Sequence, residues 1–196
     1  MASMKRICVF CGSNKGVRPV FASAAHKLAV LLAERQLELV YGAGNVGLMG
    51  EIADAVLAAG GKVIGVIPQL LVDKEVAHRG LSDLRIVNTM HERKALMAEL
   101  SDGFIAMPGG FGTFEEFCEI VTWGQLGLHR KPSALLNVDG YYDPLLALFD
   151  HGVSEGFLRP VHRSLVISNS DPEALLEQME SFVPQDLPKW ISPAQG

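Results

Sequence analysis

The sequence predicts a doubly wound α/β fold, one parallel sheet with helices on both faces, and three observations carry that prediction. Short apolar runs alternate steadily with longer segments of helical periodicity along almost the whole chain. Such alternation calls for parallel strands joined by helical crossovers, and strands covered on both faces read as near-continuous apolar runs. Glycine-rich turns follow three of the runs, where a sheet of this kind gathers its ligand-binding loops beyond the carboxyl ends of its strands. The 196 residues, 48% hydrophobic and 20% charged, suffice for one substantial core and are short for two.

Taken in order, residues 5–10 (KRICVF) read as the first strand. Residues 19–35 follow as a helix, since Val20, Phe21, Ala24, Leu28 and Leu31 recur at helical spacing. Residues 37–41 form a second strand and residues 46–59 a second helix, closed by Gly60-Gly61. KVIGVI, residues 62–67, is the third strand; residues 84–88 and 103–107 are the fourth and fifth, with a helix over 90–100 between them. A helix from about residue 112 to 126 precedes a strand at 133–137. Helices over 144–155 and 172–182 flank a short apolar run at 164–168. With no linker and no internal repeat, residues 1–183 read as one α/β domain. The proline-rich tail 184–196 is expected to lie extended or loose.

Bulk properties exclude several classes. The net charge is −5 without a basic block, which argues against a nucleic-acid partner but leaves a small phosphorylated ligand open. Three cysteines make no disulfide framework and fit a reducing compartment. Cys8 and Cys11 form a C-x-x-C in the first strand and not at a helix N-terminus, so they read as buried structural thiols. No apolar run approaches the ~20 residues of a membrane span and no leader pattern is present, so the chain reads as cytoplasmic.

Three segments could carry chemistry. YGAGNVG, residues 41–47, matches G-x-G-x-x-G between a strand and a helix. It follows the second strand, however, and the next strand ends VIGVIP with no acid for ribose hydroxyls, so close backbone packing beside a smaller ligand is preferred to a dinucleotide. PGGFGTFEE, residues 108–116, places three glycines just before a helix, where first-turn amides lack internal partners and carry the positive dipole end. Phe114, Phe117, Cys118 and Val121 fall on one stripe of that helix and should face the core, whereas Glu115, Glu116, Glu119 and Thr122 lie off it. Periodicity does not choose among the three carboxylates.

In MHERKALMAEL, residues 90–100, Arg93 shares an apolar stripe with Leu96, Met97 and Leu100. A guanidinium so placed either snorkels or meets a ligand phosphate or a carboxylate of the neighbouring helix, because an unpaired buried charge is very unfavourable. The six histidines show no metal-ligand spacing, and neither G-x-S-x-G nor a P-loop is present.

Together these segments resemble the LOG family of cytokinin riboside 5′-monophosphate phosphoribohydrolases. The resemblance rests on P-G-G-x-G-T-x-x-E at Pro108 to Glu116, on the upstream Arg93-Lys94 pair, and on CVFCGS, YGAGNVGLMG and ALLNVDGYYDPLL. It covers about residues 6–157 and is weakest over 69–80. It implies a Rossmann-like domain and hydrolysis of the N-glycosidic bond of a purine nucleoside 5′-monophosphate, giving free base and ribose 5-phosphate. It implies also a homodimer and no metal or other cofactor. Arg93 and Glu116 would be the catalytic pair. Lys94, Gly110, Phe111, Gly112, Thr113, Glu75 and Thr122 would bind the nucleotide. Gly109, Phe114 and Glu115 join them from the same motif, and Gly12, Ser13, Gly42 and Gly44 from the neighbouring turns. An older name for such proteins is lysine decarboxylase; nothing in the sequence suggests a pyridoxal phosphate site, for which the chain is small. A place in the first helical turn is expected to favour the charged form of Glu116.

Overall fold

Strand β1 (Arg6–Phe10) shows how the sheet sorts its residues. Ile7 and Val9 enter one apolar cluster and Cys8 and Phe10 the opposite one, the two-residue period of a strand buried on both faces. The computed structural model describes residues 4–72, 77–81 and 83–184.

Six further strands complete a single sheet: β2 (Glu38–Tyr41), β3 (Val63–Pro68), β4 (Asp83–Val87), β5 (Gly103–Ala106), β6 (Ser133–Leu136) and β7 (Val166–Asn169). Every pairing is parallel, in the order β4-β3-β2-β1-β5-β6-β7. The helices are α1 (Pro19–Glu34), α2 (Gly47–Ala58), α3 (Gln69–Val72), α4 (Met90–Leu100), α5 (Phe111–Gln125), α6 (Asp143–Ser154), α7 (Pro160–Arg163) and α8 (Pro172–Glu180). Helices α1, α2 and α8 cover one face through Leu28, Leu32, Ile52, Val56 and Leu176. Helices α4 and α5 cover the other through Met97, Phe117 and Ile120, joined by half-buried Leu145 and Phe149 of α6. Each fully buried aliphatic or aromatic side chain contributes about 1.5–3 kcal/mol.

The doubly wound parallel sheet expected from the alternation is therefore the fold. Two one-turn helices, α3 and α7, escape a periodicity test because four residues cannot display one. The seventh strand starts two residues later and ends one later than the apolar run at 164–168 suggests, and its residues are half-buried at the sheet edge. Cys8 and Cys11 are buried free thiols. Cys118 is a correction: α5 buries Thr113, Phe117 and Ile120, a stripe rotated away from it, and its thiol is exposed. Among the described residues, no helix is long and apolar enough to cross a membrane. The tail expected beyond residue 184 lies outside the described residues.

This topology fixes where a ligand can sit. The chain runs outward from β1 through β2, β3 and β4, then returns to β5 on the other side of β1. Loops leaving β1 and β5 thus diverge to opposite faces and open a crevice between them, the switch point of such sheets. Met107 donates to the Phe10 carbonyl at 2.9 Å and Gly12 to that of Pro108 at 3.1 Å, so the two loops are pinned together at its base.

Candidate active site

The loop after β5 delivers the glycines to α5. Gly110 is the N-cap of that helix and offers no side-chain acceptor, where serine, threonine or aspartate is usual. The first bond across the cap runs from Phe114 to the Gly110 carbonyl at 3.1 Å, which leaves the amides of Phe111, Gly112 and Thr113 ahead of the helical ladder. They face a cavity of about 250 Å³ lined by Gly12 and Ser13 of the β1 loop, by Gly110, Phe111, Gly112 and Thr113, and by Arg93, Glu115 and Glu116.

The glycines differ in what they do. A Cβ on Gly109 would lie 2.1 Å from the Thr113 hydroxyl and 2.9 Å from the Gly12 nitrogen, so that glycine allows the loops to touch. A Cβ on Gly110 or Gly112 would meet nothing within 4 Å. Neither is required by packing or by positive φ, which leaves close approach of a ligand to the backbone as their use.

Arg93 and Glu116 meet on the cavity wall. Thr89 caps α4 by accepting from the Glu92 amide at 3.1 Å, which sets the start of the helix and the direction of Arg93 one turn on. Arg93 is buried, 8% exposed, with Nε donating to the Val66 carbonyl at 3.1 Å and Nη1 lying 3.5 Å from Glu116 Oε1. The carboxylate of the neighbouring helix, one of the two partners open for this guanidinium, is the one in place. Among Glu115, Glu116 and Glu119, the other two turn to Lys94, whose Nζ lies 2.5 Å from Glu115 and 3.0 Å from Glu119. Burial opposes the Lys94 charge, but the two carboxylates outweigh it and hold the ammonium above its ordinary value.

Glu116 is six residues into α5 and not in its first turn, which corrects the expectation that the helix dipole favours its charged form. Its side chain is 12% exposed, and burial raises its pKa above the ordinary glutamate value against the pull of Arg93. A carboxylate held this way has enhanced affinity for a proton or any other cation, while Arg93 limits the rise. If the ionised form is the working one, activity should fall with decreasing pH along a limb centred above the ordinary glutamate pKa. A kcat/KM–pH profile checks this, and Glu116→Gln should abolish the limb.

The structure gathers Gly12, Ser13, Arg93, Glu116 and residues 110–113 around one cavity. Gly42 and Gly44 do not line it. A Cβ on Gly42 would fall 1.6 Å from Arg93 Nη2 and one on Gly44 2.6 Å from the Met49 methyl. Gly47, at φ 64°, abuts the Ser13 backbone, where a Cβ would lie 2.2 Å from the carbonyl carbon. The glycines of the G-x-G-x-x-G match thus make room for Arg93, Met49 and the β1 loop, the close backbone packing expected of this segment. Phe114 packs edge-on against Tyr142 with ring centroids 6.4 Å apart. Thr122 lies near the far end of α5, its hydroxyl donating to the Cys118 carbonyl at 2.7 Å. Glu75 lies outside the described residues. Met49, Met90 and Cys11 also line the cavity and are not among the residues expected there.

Fold and site define a Rossmann-like α/β protein with an uncapped glycine N-terminus, suited to an anion, beside a buried arginine–glutamate pair. A family model described as possible lysine decarboxylase matches residues 49–179. Probable cytokinin riboside 5′-monophosphate phosphoribohydrolase LOGL1 of Oryza sativa subsp. japonica is 55% identical over 177 residues, 90% of this chain and 79% of the relative. Cytokinin riboside 5′-monophosphate phosphoribohydrolase LOG7 of Arabidopsis thaliana is 49% identical over 92% of this chain and 83% of its own. The chain belongs to the LOG family of cytokinin riboside 5′-monophosphate phosphoribohydrolases. Its fold is shared by the molybdenum cofactor binding protein of Rippkaea orientalis, at 23% identity and a TM-score of 0.69 over 92% of this chain and 98% of that one.

Proposed function

We propose that this protein hydrolyses the N-glycosidic bond of cytokinin riboside 5′-monophosphates, and of AMP, to the free base and ribose 5-phosphate. The observation that carries the reading is the buried Arg93–Glu116 pair on the wall of the cavity that opens at the uncapped N-terminus of α5. The amides of residues 110–113 take the 5′-phosphate. Rupture of the C1′–N bond sends the electron pair to the base and leaves an oxocarbenium-like ribose, whose positive charge meets the Glu116 carboxylate. Water then bonds to C1′, and its proton balances the departing base. Arg93 does not act as the acid, because a guanidinium does not lose its proton; it orients Glu116 and keeps it ionised.

The grip on the phosphate supplies binding energy away from the reacting bond. AMP and its N6-isopentenyl derivative should therefore release base while the corresponding nucleosides react poorly; chromatographic product analysis of all four tests the proposal. Equal turnover of AMP and adenosine would contradict the phosphate grip. Binding of AMP without release of adenine would favour a non-catalytic nucleotide carrier on the same fold. Gly112→Val places a branched side chain in open space beside the amides and should raise KM for the nucleotide about tenfold or more with little loss of folding stability, read from initial rates and thermal melts.

The nucleotide-binding roles of Glu75, Lys94 and Thr122 rest on the family resemblance. A homodimer is supported by apolar surface at the β7 end of the molecule: α6 has no fully buried residue, Leu148 on it is exposed, and nearby Phe157 is 93% exposed. A cytoplasmic setting is supported by the three free thiols.

A further inference from the structure

We propose that Tyr141 is a positioning residue of the phosphate-binding loop: by holding the Gly109 carbonyl, its hydroxyl aims the Gly110 amide into the cavity beside Arg93 and Glu116. The inference rests on the phosphate site proposed above and adds to it a residue outside the glycine motif.

A loop of proline and three glycines has little intrinsic preference for one conformation, so something must hold it. Three successive carbonyls are held from outside. That of Met107 accepts from the Tyr142 hydroxyl at 2.6 Å, that of Pro108 from the Gly12 amide at 3.1 Å, and that of Gly109 from the Tyr141 hydroxyl. Among the described residues the peptide bonds are all trans, so the C=O and N–H of one peptide unit point in opposite directions. Fixing the Gly109 carbonyl on Tyr141 therefore turns the Gly110 N–H away from Tyr141. Tyr141 borders a separate cavity of about 240 Å³ behind the loop, and Gly110 lies on the wall shared with the Arg93–Glu116 cavity.

The segment that presents Tyr141 is itself held in place. After β6 the chain passes through Asp139 at φ 50° and Gly140 at φ 74°, a left-handed pair that persists only where its surroundings determine it. Asn137 supplies part of that determination, accepting from the Tyr142 amide at 2.7 Å and donating to Asp143 at 2.7 Å. Arg18 pairs with Asp139 and lies 4.8 Å over the Phe21 ring, which meets Tyr141 edge-on at 5.8 Å. Tyr142 packs against the other side of Tyr141 at 5.1 Å. The tyrosine ring is thus fixed by packing, which leaves its hydroxyl free to serve the loop.

Tyr142 provides the internal control. Its hydroxyl holds the peptide between Met107 and Pro108, and proline has no N–H to aim. Tyr142→Phe should lower the melting temperature, because a buried carbonyl loses its donor, yet leave phosphate binding within about twofold. Tyr141→Phe keeps the ring and removes only the hydroxyl. It should weaken calorimetric binding of ribose 5-phosphate about tenfold and raise KM for AMP comparably, one net hydrogen bond's worth, while inhibition by adenine is unchanged. Unchanged ribose 5-phosphate binding in a Tyr141→Phe protein that follows a binding-competent wild type would overturn this inference alone. Equal weakening of ribose 5-phosphate and adenine would overturn it too, by showing general damage. A wild-type protein that binds no ribose 5-phosphate would overturn the phosphate site and this inference together.

Discussion

Glu116→Gln is expected to lose about a hundredfold or more in kcat while the nucleotide still binds with nearly unchanged affinity. The substitution keeps size and hydrogen-bonding shape and removes only the negative charge, which matters most when the ribose becomes cationic. The same variant should change little in stability, because glutamine removes the cost of a buried carboxylate but leaves the buried Arg93 charge without its ion pair. The folded-state pKa of Glu116 lies above its unfolded value, because burial outweighs the attraction of Arg93. The native state therefore binds the extra proton more readily, and stability falls as pH rises from the ordinary glutamate value through the raised one. At neutral pH the ionised carboxylate costs stability, and a neutral glutamine removes that cost while leaving the Arg93 charge unpaired. Initial rates, nucleotide binding and thermal melts at pH 7 check the three parts. A loss confined to KM would make Glu116 a binding residue, and a large drop in melting temperature would make it a structural one.

Gly42→Ala should produce a folded protein that is largely inactive, about ten- to a hundredfold down in kcat. The added methyl would overlap Arg93 Nη2, at 1.6 Å, so the guanidinium must leave its seat between the Val66 carbonyl and Glu116. A long side chain can move, so the fold survives, but Glu116 is left buried without the charge that keeps it ionised and oriented. The acid limb of the pH profile should move further up in this variant, since Arg93 no longer opposes the effect of burial. Gly44→Ala, which displaces only the flexible methyl of Met49, should be milder. Comparable rates for Gly42→Ala and the parent would separate Arg93 from catalysis.

These two positions also show what sequence can and cannot disclose. The alternation of apolar runs and helical periods reads out the sheet and its main helices because burial on both faces imposes it locally. The glycine turn before α5 is legible for a similar reason: an N-cap without a side-chain acceptor is a local chemical fact. Arg93 is legible as a buried charge needing an anion, but which carboxylate answers it depends on how α4 and α5 pack. Cys118 shows the size of that uncertainty, since a small rotation of the buried stripe moved it to the surface. Close packing at Gly42 is legible from the G-x-G-x-x-G string, but its neighbour Arg93 is not, because it comes from a distant helix. Tyr141 is legible only as part of the family stretch ALLNVDGYYDPLL and not as a positioning residue, as that task is defined by a carbonyl on another loop.

The most direct measurement is a crystal structure of Glu116→Gln with uncleaved AMP. The account predicts the 5′-phosphate within hydrogen-bonding distance of the amides of residues 110–113 and C1′ of the ribose facing the residue-116 carboxamide. A phosphate bound away from the N-terminus of α5, or a ribose whose C1′ lies out of reach of position 116, would contradict it.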